Sequence, residues 1–440
     1  MKKIKVGLLG LGTIGTGVAR ILLSNRDVIS DRLGAELVLK HASDLDINRD
    51  FGVKFPDGVL TTDSEAVASD PEIDIIIELI GGTGIAKTLI EKAISAGKHV
   101  VTANKALLAV HGRELFGMAA EKGVSLAFEA SVGGCMPVIK TMRESLVANR
   151  ISAFTGILNG TCNYILTRIT EEGLPFSEAL AEAQAEGFAE ADPTLDIEGH
   201  DTAHKLAILA ALAYGIKIRL DDIYVEGISG ISPIDIQFAQ KTGYTIKLLA
   251  ISKNDGRAVE ARVHPAMIPK SSMLSHVNGQ LNAISITGDA VGEMMLYGHG
   301  AGMMPTASAI LSDTVDIARD ILQGGESRMP AMPFTAGHMK EIPIRPIDEI
   351  TTGYYLRLAA VDRPGVLSKI SGILGNRNIS LKSVVQTERK LNGAVPLFML
   401  THPAEESMMK KAIKEISDLD VISGRPVLIR IEEEFQDTED

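Results

Sequence analysis

The stretch KIKVGLLGLGTIG, residues 3–15, constrains the fold more than any other part of the chain. A short apolar run reads as a buried strand. Gly10, Gly12 and Gly15 follow it in G-x-G-x-x-G spacing. A helical period then begins at once, with Ile14, Val18, Ile21 and Leu22 at i, i+4, i+7 and i+8. Between a strand and a helix, each glycine has its own task. Gly10 permits the tight turn, Gly12 lets the backbone approach a pyrophosphate, and Gly15 lets helix and strand pack closely. The free N–H groups and positive dipole end of the helix would face the phosphates. A glycine turn in a non-binding α/β fold is the alternative. An acid for the adenosine ribose is expected about 20 residues downstream. Here the second strand, AELVLKHA, ends near His41 with Asp44 beyond it, because SNRDVISDRLG lengthens the crossover. Lys40 and His41 could instead favour a 2′-phosphate, so NAD and NADP both stay open.

Strands and helices alternate through the first part of the chain. EIDIIIELI is almost wholly apolar, as a strand buried on both faces should be. KHVVTA and VSLAFEA read as further strands, with helices around IAKTLIEKAISAG and from Lys105 to Glu121. This order predicts a parallel sheet with helices on both faces. After about Ser131 the pattern changes. Amphipathic stretches near 136–147 and 177–186 and the strand-like pieces ISAFTGIL, TIKLLAISK, AVEARVHP and AISITGD suggest an α+β substrate domain. Residues 324–350 hold four prolines and several glycines and read as a linker. From Thr351 the order is β-α-β-β-α-β, a ferredoxin-like module with Asn392–Gly393 at a hairpin turn. The expected division is therefore 1–130, completed by a returning helix near 303–321, then 131–323, a linker 324–350, a module 351–433 and an acidic tail 434–440. The last nine residues, EEEFQDTED, read as solvated.

At 440 residues the chain needs more than one core. Its net charge of −12 argues against a nucleic-acid partner, which requires a cationic footprint. The basic, apolar N-terminus is interrupted by glycines and reads as mature structure. No uninterrupted apolar run of about 18 residues exists to span a membrane. Two cysteines, Cys135 and Cys162, give neither a disulfide framework nor zinc-ligand spacing, and a reducing, cytoplasmic location is expected. Both read as small buried residues more readily than as nucleophiles. His111, His264 and His299 are isolated and read as structural.

GHDTAHKLAILAALAYG places Asp201 and Lys205 four apart, on one helix face among apolar residues. A surface ion pair is one explanation. A substrate anchor beside a proton donor is the other, since hydride transfer at a carbonyl needs a proton at oxygen.

Six blocks converge, in order: GLLGLGTIGTGV, VVTANKALLA, FEASVGGCMPVI, GILNGTCNYIL, AEGFAEADPTLDIEGHDTAHKLAILA and YGHGAGMMPTASAI. They resemble homoserine dehydrogenases, and DRPGVLSKISGILGNRNISLKSVVQ resembles an ACT domain, a small amino-acid-sensing module. The resemblance covers nearly the whole chain. It implies a Rossmann-type dinucleotide-binding domain and interconversion of L-homoserine and L-aspartate 4-semialdehyde with NAD or NADP. Lys205 then matches the proton donor, Asp201 and Glu190 the holders of the substrate ammonium, and Lys105 a lysine at the cofactor–substrate junction. Leu11, Thr13 and Ile14 lie in the pyrophosphate loop, and Gly187 and Gly302 line the site. Glu129, with backbone groups of Val132, Gly134 and Met136, matches a monovalent-cation site for sodium or potassium. Cys135 stands where glycine is usual and Cys162 where threonine is usual. A homodimer or homotetramer and feedback by L-threonine through the ACT domain, with the linker letting the module move apart from the core, are further implications. A non-catalytic dinucleotide and amino-acid sensor is the alternative function; aspartate-semialdehyde dehydrogenase would need an activated cysteine that no motif supplies.

Overall fold

The structure is a computed structural model and describes residues 1–325, 328–334, 338–386 and 393–433. Asn392 of the expected turn, the acidic tail and parts of the expected linker (326–327 and 335–337) lie outside the described residues. The chain forms two compact units. The first comprises Met1–Phe154, His204–Leu220 and Leu281–Glu341; the second comprises Thr155–Ala203, Asp221–Gln280 and Ile342–Asp440.

In the first unit, β1 (Lys3–Leu9), β2 (Glu36–Ser43), β3 (Leu60–Thr61), β4 (Ile75–Glu78), β5 (His99–Thr102) and β6 (Leu126–Ala127) form a sheet in the order β3-β2-β1-β4-β5-β6. All the pairings are parallel. This is the doubly wound order, with the switch point between β1 and β4. The unbroken run Ile75-Ile76-Ile77 has its reason here. Ile75 and Ile77 enter one core with Val6 and Leu8, and Ile76 enters the opposite core with Leu9 and Val100. The helix Met303–Leu322 adds Ala307, Ile310 and Ile317 to the first of these cores.

Several expectations need correction. SNRDVISDRLG is not merely a longer crossover: Arg26–Leu33 is a helix of its own, ended by Gly34 in the left-handed conformation. VSLAFEA keeps only Leu126–Ala127 as strand, because Glu129–Ser131 turns into a 3-10 helix. The stretch 136–147 holds a short α-turn, Val138–Lys140, and then a π-helix, Thr141–Ser145, closed by a wide Leu146 N–H to Thr141 C=O bond of 2.9 Å. Gly292–His299 is a strand that the sequence reading missed, paired antiparallel to Leu281–Gly288.

In the second unit, Tyr244–Asn254 and Val259–Pro269 form an antiparallel hairpin. The C-terminal module has the expected β-α-β-β-α-β order: Thr351–Val361, Val366–Gly375, Leu381–Gln386, Ala394–Thr401, Glu406–Ser417 and Ile422–Ile431. It has its own core of Tyr354, Leu356, Ile370, Leu374, Met399 and Met409. It is nevertheless not a detached module. Ile422–Ile431 pairs in parallel with Val259–Pro269, through Ala266 with Arg430 and Met267 with Ile431.

Buried charges reinforce that seam. Arg262, 3% exposed, binds Glu432 and Glu260, and Lys253 Nζ lies 3.0 Å from Glu432. Arg357 Nε donates to the fully buried Asp235 at 2.6 Å, and the Tyr355 hydroxyl donates to the same carboxylate at 2.7 Å. Arg430 reaches Glu406 at 2.9 Å and Glu226 at 2.8 Å. Glu432 is therefore a buried ion-pair partner and not the first residue of a solvated tail. The proline-rich segment does not free the module either. Val259 N–H donates to Pro343 C=O at 2.9 Å, Arg345 N–H donates to Val259 C=O at 2.8 Å, and the Arg345 side chain binds Asp255 and Glu260.

A chain ending after Glu349 would strip Asp235 of Arg357 and Tyr355 and Arg262 of Glu432, leaving them Ser232 and Glu260, and would open the edge of Val259–Pro269. The truncated protein is expected to aggregate, or to melt at least about 10 °C below the full chain by circular dichroism. Burial opposes ionisation of Glu432, but Arg262 and Lys253 hold it down at about 2. Its contribution to stability is thus present above the ordinary carboxylate range and is lost as pH falls from about 4.5 toward about 2. Glu432→Gln should lower the urea midpoint at pH 7 and shrink the difference between variant and parent at pH 3.

Candidate active site

β1 delivers the glycine loop to the switch point. Gly10 has φ +92°, and a Cβ there would lie 2.8 Å from the Leu79 carbonyl oxygen. A Cβ on Gly15 would lie 2.0 Å from the Gly10 oxygen, so the first helical turn rests directly on the loop backbone. A Cβ on Gly12 would meet nothing within 4 Å. Gly12 is also the N-cap of the helix Thr13–Ser24 and makes no side-chain capping bond. The cradle is therefore open where a phosphate would sit and closed where the backbone packs. Leu11 is buried, Ile14 half-buried and Thr13 exposed. Thr16 Oγ1 donates to the Leu11 carbonyl at 2.8 Å and ties the loop to the helix.

The neighbouring strand ends are organised by Glu78, which the sequence reading did not single out. Fully buried at the end of β4, its carboxylate accepts from Ile80 N–H at 2.8 Å and Thr102 Oγ1 at 2.7 Å. Thr102 Oγ1 accepts from Asn104 N–H at 3.0 Å. Asn104 then caps the helix Lys105–Lys122 through Leu107 N–H at 3.1 Å, and donates to the Gly82 carbonyl at 2.7 Å. Lys105 is thus the first residue of a capped 18-residue helix beside the C-terminal end of β5. The available signal was one carboxylate closing an otherwise apolar strand.

The Glu129 loop lies in the same unit. Both oxygens of the Glu129 carboxylate are engaged, by Ile139 N–H at 2.9 Å and Lys140 N–H at 2.8 Å. Burial, with Asp313 alongside, pushes this carboxyl up to about 7. Gly133 and Gly134 turn the chain with φ of 75° and 58°. A Cβ on Gly134 would lie 2.5 Å from the Gly300 carbonyl carbon, and Cys135 N–H donates to His299 C=O at 3.1 Å. Val132 and Met136 are buried, but Cys135 is exposed, contrary to expectation, because it follows two left-handed residues at the turn. Among the described residues no group of three His, Cys, Asp or Glu side chains could hold a metal ion. Gly302 caps the helix Met303–Leu322 with φ +123°.

The second unit holds Gly187, Glu190 and Asp201. Asn159 caps the helix Gly160–Glu172 by accepting from Cys162 N–H at 2.8 Å. Its amide nitrogen donates to Asp196 at 2.7 Å and to Asp201 at 3.0 Å, so one side chain orients both carboxylates. Thr161 Oγ1 donates to Phe188 C=O at 2.6 Å and lies 3.1 Å from the other Asp196 oxygen. Cys162 is buried, with its thiol 3.1 Å from the Asp196 carbonyl. Asn159, Thr161 and Asp196 were not singled out in the sequence, although an Asn-Gly-Thr at a strand-to-helix boundary is a recognisable cap. Gly187 and Glu190 are exposed. Asp201 and Lys205 lie a turn apart on the helix His200–Tyr214 and are only 7% and 8% exposed. A solvated surface ion pair is thereby ruled out. His264 is structural, wholly buried between Arg262 and the Pro265 carbonyl, and burial holds it well below the ordinary imidazole range.

A doubly wound sheet with an open glycine cradle at its switch point is the architecture of a dinucleotide-binding domain. Residues 10–129 match the NAD-binding domain of homoserine dehydrogenase, residues 137–315 match homoserine dehydrogenase itself, and residues 354–421 match the ACT domain. The chain is 45% identical to the homoserine dehydrogenase of Pseudomonas aeruginosa, over 98% of this chain and 100% of that one. It is 43% identical to that of Neisseria gonorrhoeae, over 98% and 99%. The crystal structure of a homoserine dehydrogenase from Thiobacillus denitrificans matches with a TM-score of 0.92 and 44% identity, over 98% and 99%. The chain belongs to the homoserine dehydrogenase family and is an oxidoreductase, which sets aside the non-catalytic sensor.

The glycines make separable predictions. Gly12→Ala should melt within about 2 °C of the parent, yet bind NADH at least about tenfold more weakly, because its methyl enters the open cradle. Gly15→Ala should lower the melting temperature by several degrees, since its Cβ has nowhere to go. Thermal scans and nicotinamide-fluorescence titrations read both.

Proposed function

We propose that the chain interconverts L-aspartate 4-semialdehyde and L-homoserine with NAD(H) or NADP(H), in the aspartate-derived route to threonine, methionine and isoleucine, and that Lys205 moves the proton. The observation that carries this reading is the burial of Asp201 and Lys205 on one helix face. Homoserine offers an ammonium, a carboxylate and a hydroxyl. Asp201, aimed by Asn159, and Glu190 hold the ammonium. Lys205 Nζ gives a proton to the carbonyl oxygen during reduction and takes it back during oxidation. When bound on the Gly10–Gly15 cradle, the nicotinamide supplies or accepts the hydride. Gly10, Leu11, Gly12, Thr13, Ile14 and Gly15 hold the pyrophosphate. Lys105 serves the cofactor–substrate junction, and Gly187 and Gly302 line the site.

Carbonyl oxygens of Val132, Gly134 and Met136 are hard donors suited to sodium or potassium. The Glu129 carboxylate, one oxygen on Ile139 N–H and the other on Lys140 N–H, holds the loop in shape and stands with these backbone groups as the anionic member of the cation site. In the ACT module, Gly365 starts the helix Val366–Gly375 in the left-handed conformation with no side-chain cap, which leaves N–H groups for the carboxylate of an amino acid such as L-threonine. A cytoplasmic homodimer or homotetramer fits this role.

An absorbance assay at 340 nm with L-homoserine and each dinucleotide tests the reaction. Lys205→Ala should lose about 10²- to 10⁴-fold in kcat while its NADH dissociation constant stays within about threefold. Turnover within about threefold of the parent would remove Lys205 from the mechanism. Glu190→Gln and Asp201→Asn should raise the KM for homoserine more than that for the dinucleotide; equal rises would mean general damage to the fold.

A further inference from the structure

The end of β2 carries charged side chains beside the glycine loop. β2 slips register at Lys40: Val6 opposes Leu39, but Gly7 opposes His41. The bulge turns the two candidate phosphate-binding residues toward other partners. Lys40 Nζ lies 2.8 Å from Asp70 and also binds Glu72, and His41 Nε2 lies 3.6 Å from Asp70. Lys40 is thereby paired with two carboxylates, and an acid lies beside His41. Past the strand end, Asp44 points back at the glycine loop. Its Oδ2 accepts from Leu11 N–H at 2.8 Å, and its Oδ1 accepts from Asp46 N–H at 3.2 Å. Its own N–H donates to Thr61 C=O at 3.2 Å, which fixes the residue against β3. The side chain is 17% exposed, so it is held in place and still reachable.

We propose that Asp44 makes this chain selective for NAD(H): its carboxylate, seated on Leu11 of the glycine loop, takes the 2′- and 3′-hydroxyls of the adenosine ribose and excludes a 2′-phosphate. In a doubly wound sheet the ribose lies beside the strand that follows the glycine loop, where an acid accepts from the hydroxyls and repels a phosphate dianion. Arg49 is the rival reader. Its Nη2 donates to the Leu11 carbonyl at 2.6 Å and lies 3.4 Å from the Asp44 carboxylate, and its guanidinium stands 4.7 Å from the centre of the Phe51 ring. Those contacts commit Arg49 to holding the loop and to offsetting Asp44. Asp46 and Asp50 add further negative charge on the same short segment.

This inference rests on the dinucleotide occupying the Gly10–Gly15 cradle. Its test is binding of NADH and NADPH to the full chain by nicotinamide fluorescence, without homoserine. The parent should bind NADH at least about tenfold tighter than NADPH. Asp44→Ser should weaken NADH and strengthen NADPH, moving the ratio of the two constants by at least about thirtyfold, and the isosteric Asp44→Asn should move it the same way by less. Arg49→Ala should leave the order of preference unchanged. Equal or tighter NADPH binding by the parent overturns the proposal while leaving the cradle intact. So does a loss in Arg49→Ala confined to NADPH. If the parent binds neither dinucleotide, the cradle reading fails and this one falls with it.

Discussion

The dinucleotide end of the molecule depends on one backbone contact. The first turn of the Thr13–Ser24 helix lies against the Gly10 carbonyl so closely that a methyl group at Gly15 would overlap it. That approach aims the helix start at the switch point of the sheet, where β1 and β4 part and helices leave on opposite faces. Gly17 extends the same logic along the helix, since a Cβ there would lie 2.8 Å from Met303 Cγ, on the helix that completes this core. Glu78 then ties two strand ends together by accepting from Ile80 N–H after β4 and from the Thr102 hydroxyl at the end of β5.

The parallel sheet was legible because its signals are local. A glycine fingerprint, a triple isoleucine and alternating periods survive in a single sequence, since each reports a few neighbouring residues in one environment. The module was legible for the same reason. What escaped were facts settled at a distance. Glu432 belongs to a run of acids and reads as tail, yet it is buried because Arg262 and Lys253, about 170 and 180 residues earlier, need it. Cys135 reads as a small packing residue, yet two left-handed glycines put it outside.

The site shows the same division. Asp201 and Lys205 declared themselves by helical spacing, and their burial sets aside a solvated surface pair. Gly10 makes the tight turn and Gly15 the close helix packing expected of them, and the space beside Gly12 is open. Asn159 and Asp196 were invisible because what distinguishes them is a shared hydrogen bond between a helix cap and two later carboxylates, and no periodicity records it. The bulge in β2 was invisible as well: a single extra residue at Lys40 shifts the register, so that Val6 opposes Leu39 and Gly7 opposes His41, and no local pattern announces it.

The pairing of Met267 with Ile431 has a temporal side. The two residues are 164 positions apart, and the later one belongs to the last described strand. During synthesis at about 5–20 residues per second, Val259–Pro269 leaves the ribosome roughly 8–33 s before the strand that will cover its open edge. For that interval the nascent chain carries a ribbon with unmet N–H and C=O groups, and Arg262 within it has Glu260 but not yet Glu432. The last described strand of the module is therefore also the closing step in the assembly of the second unit's sheet, and a hairpin made early waits for the strand made last.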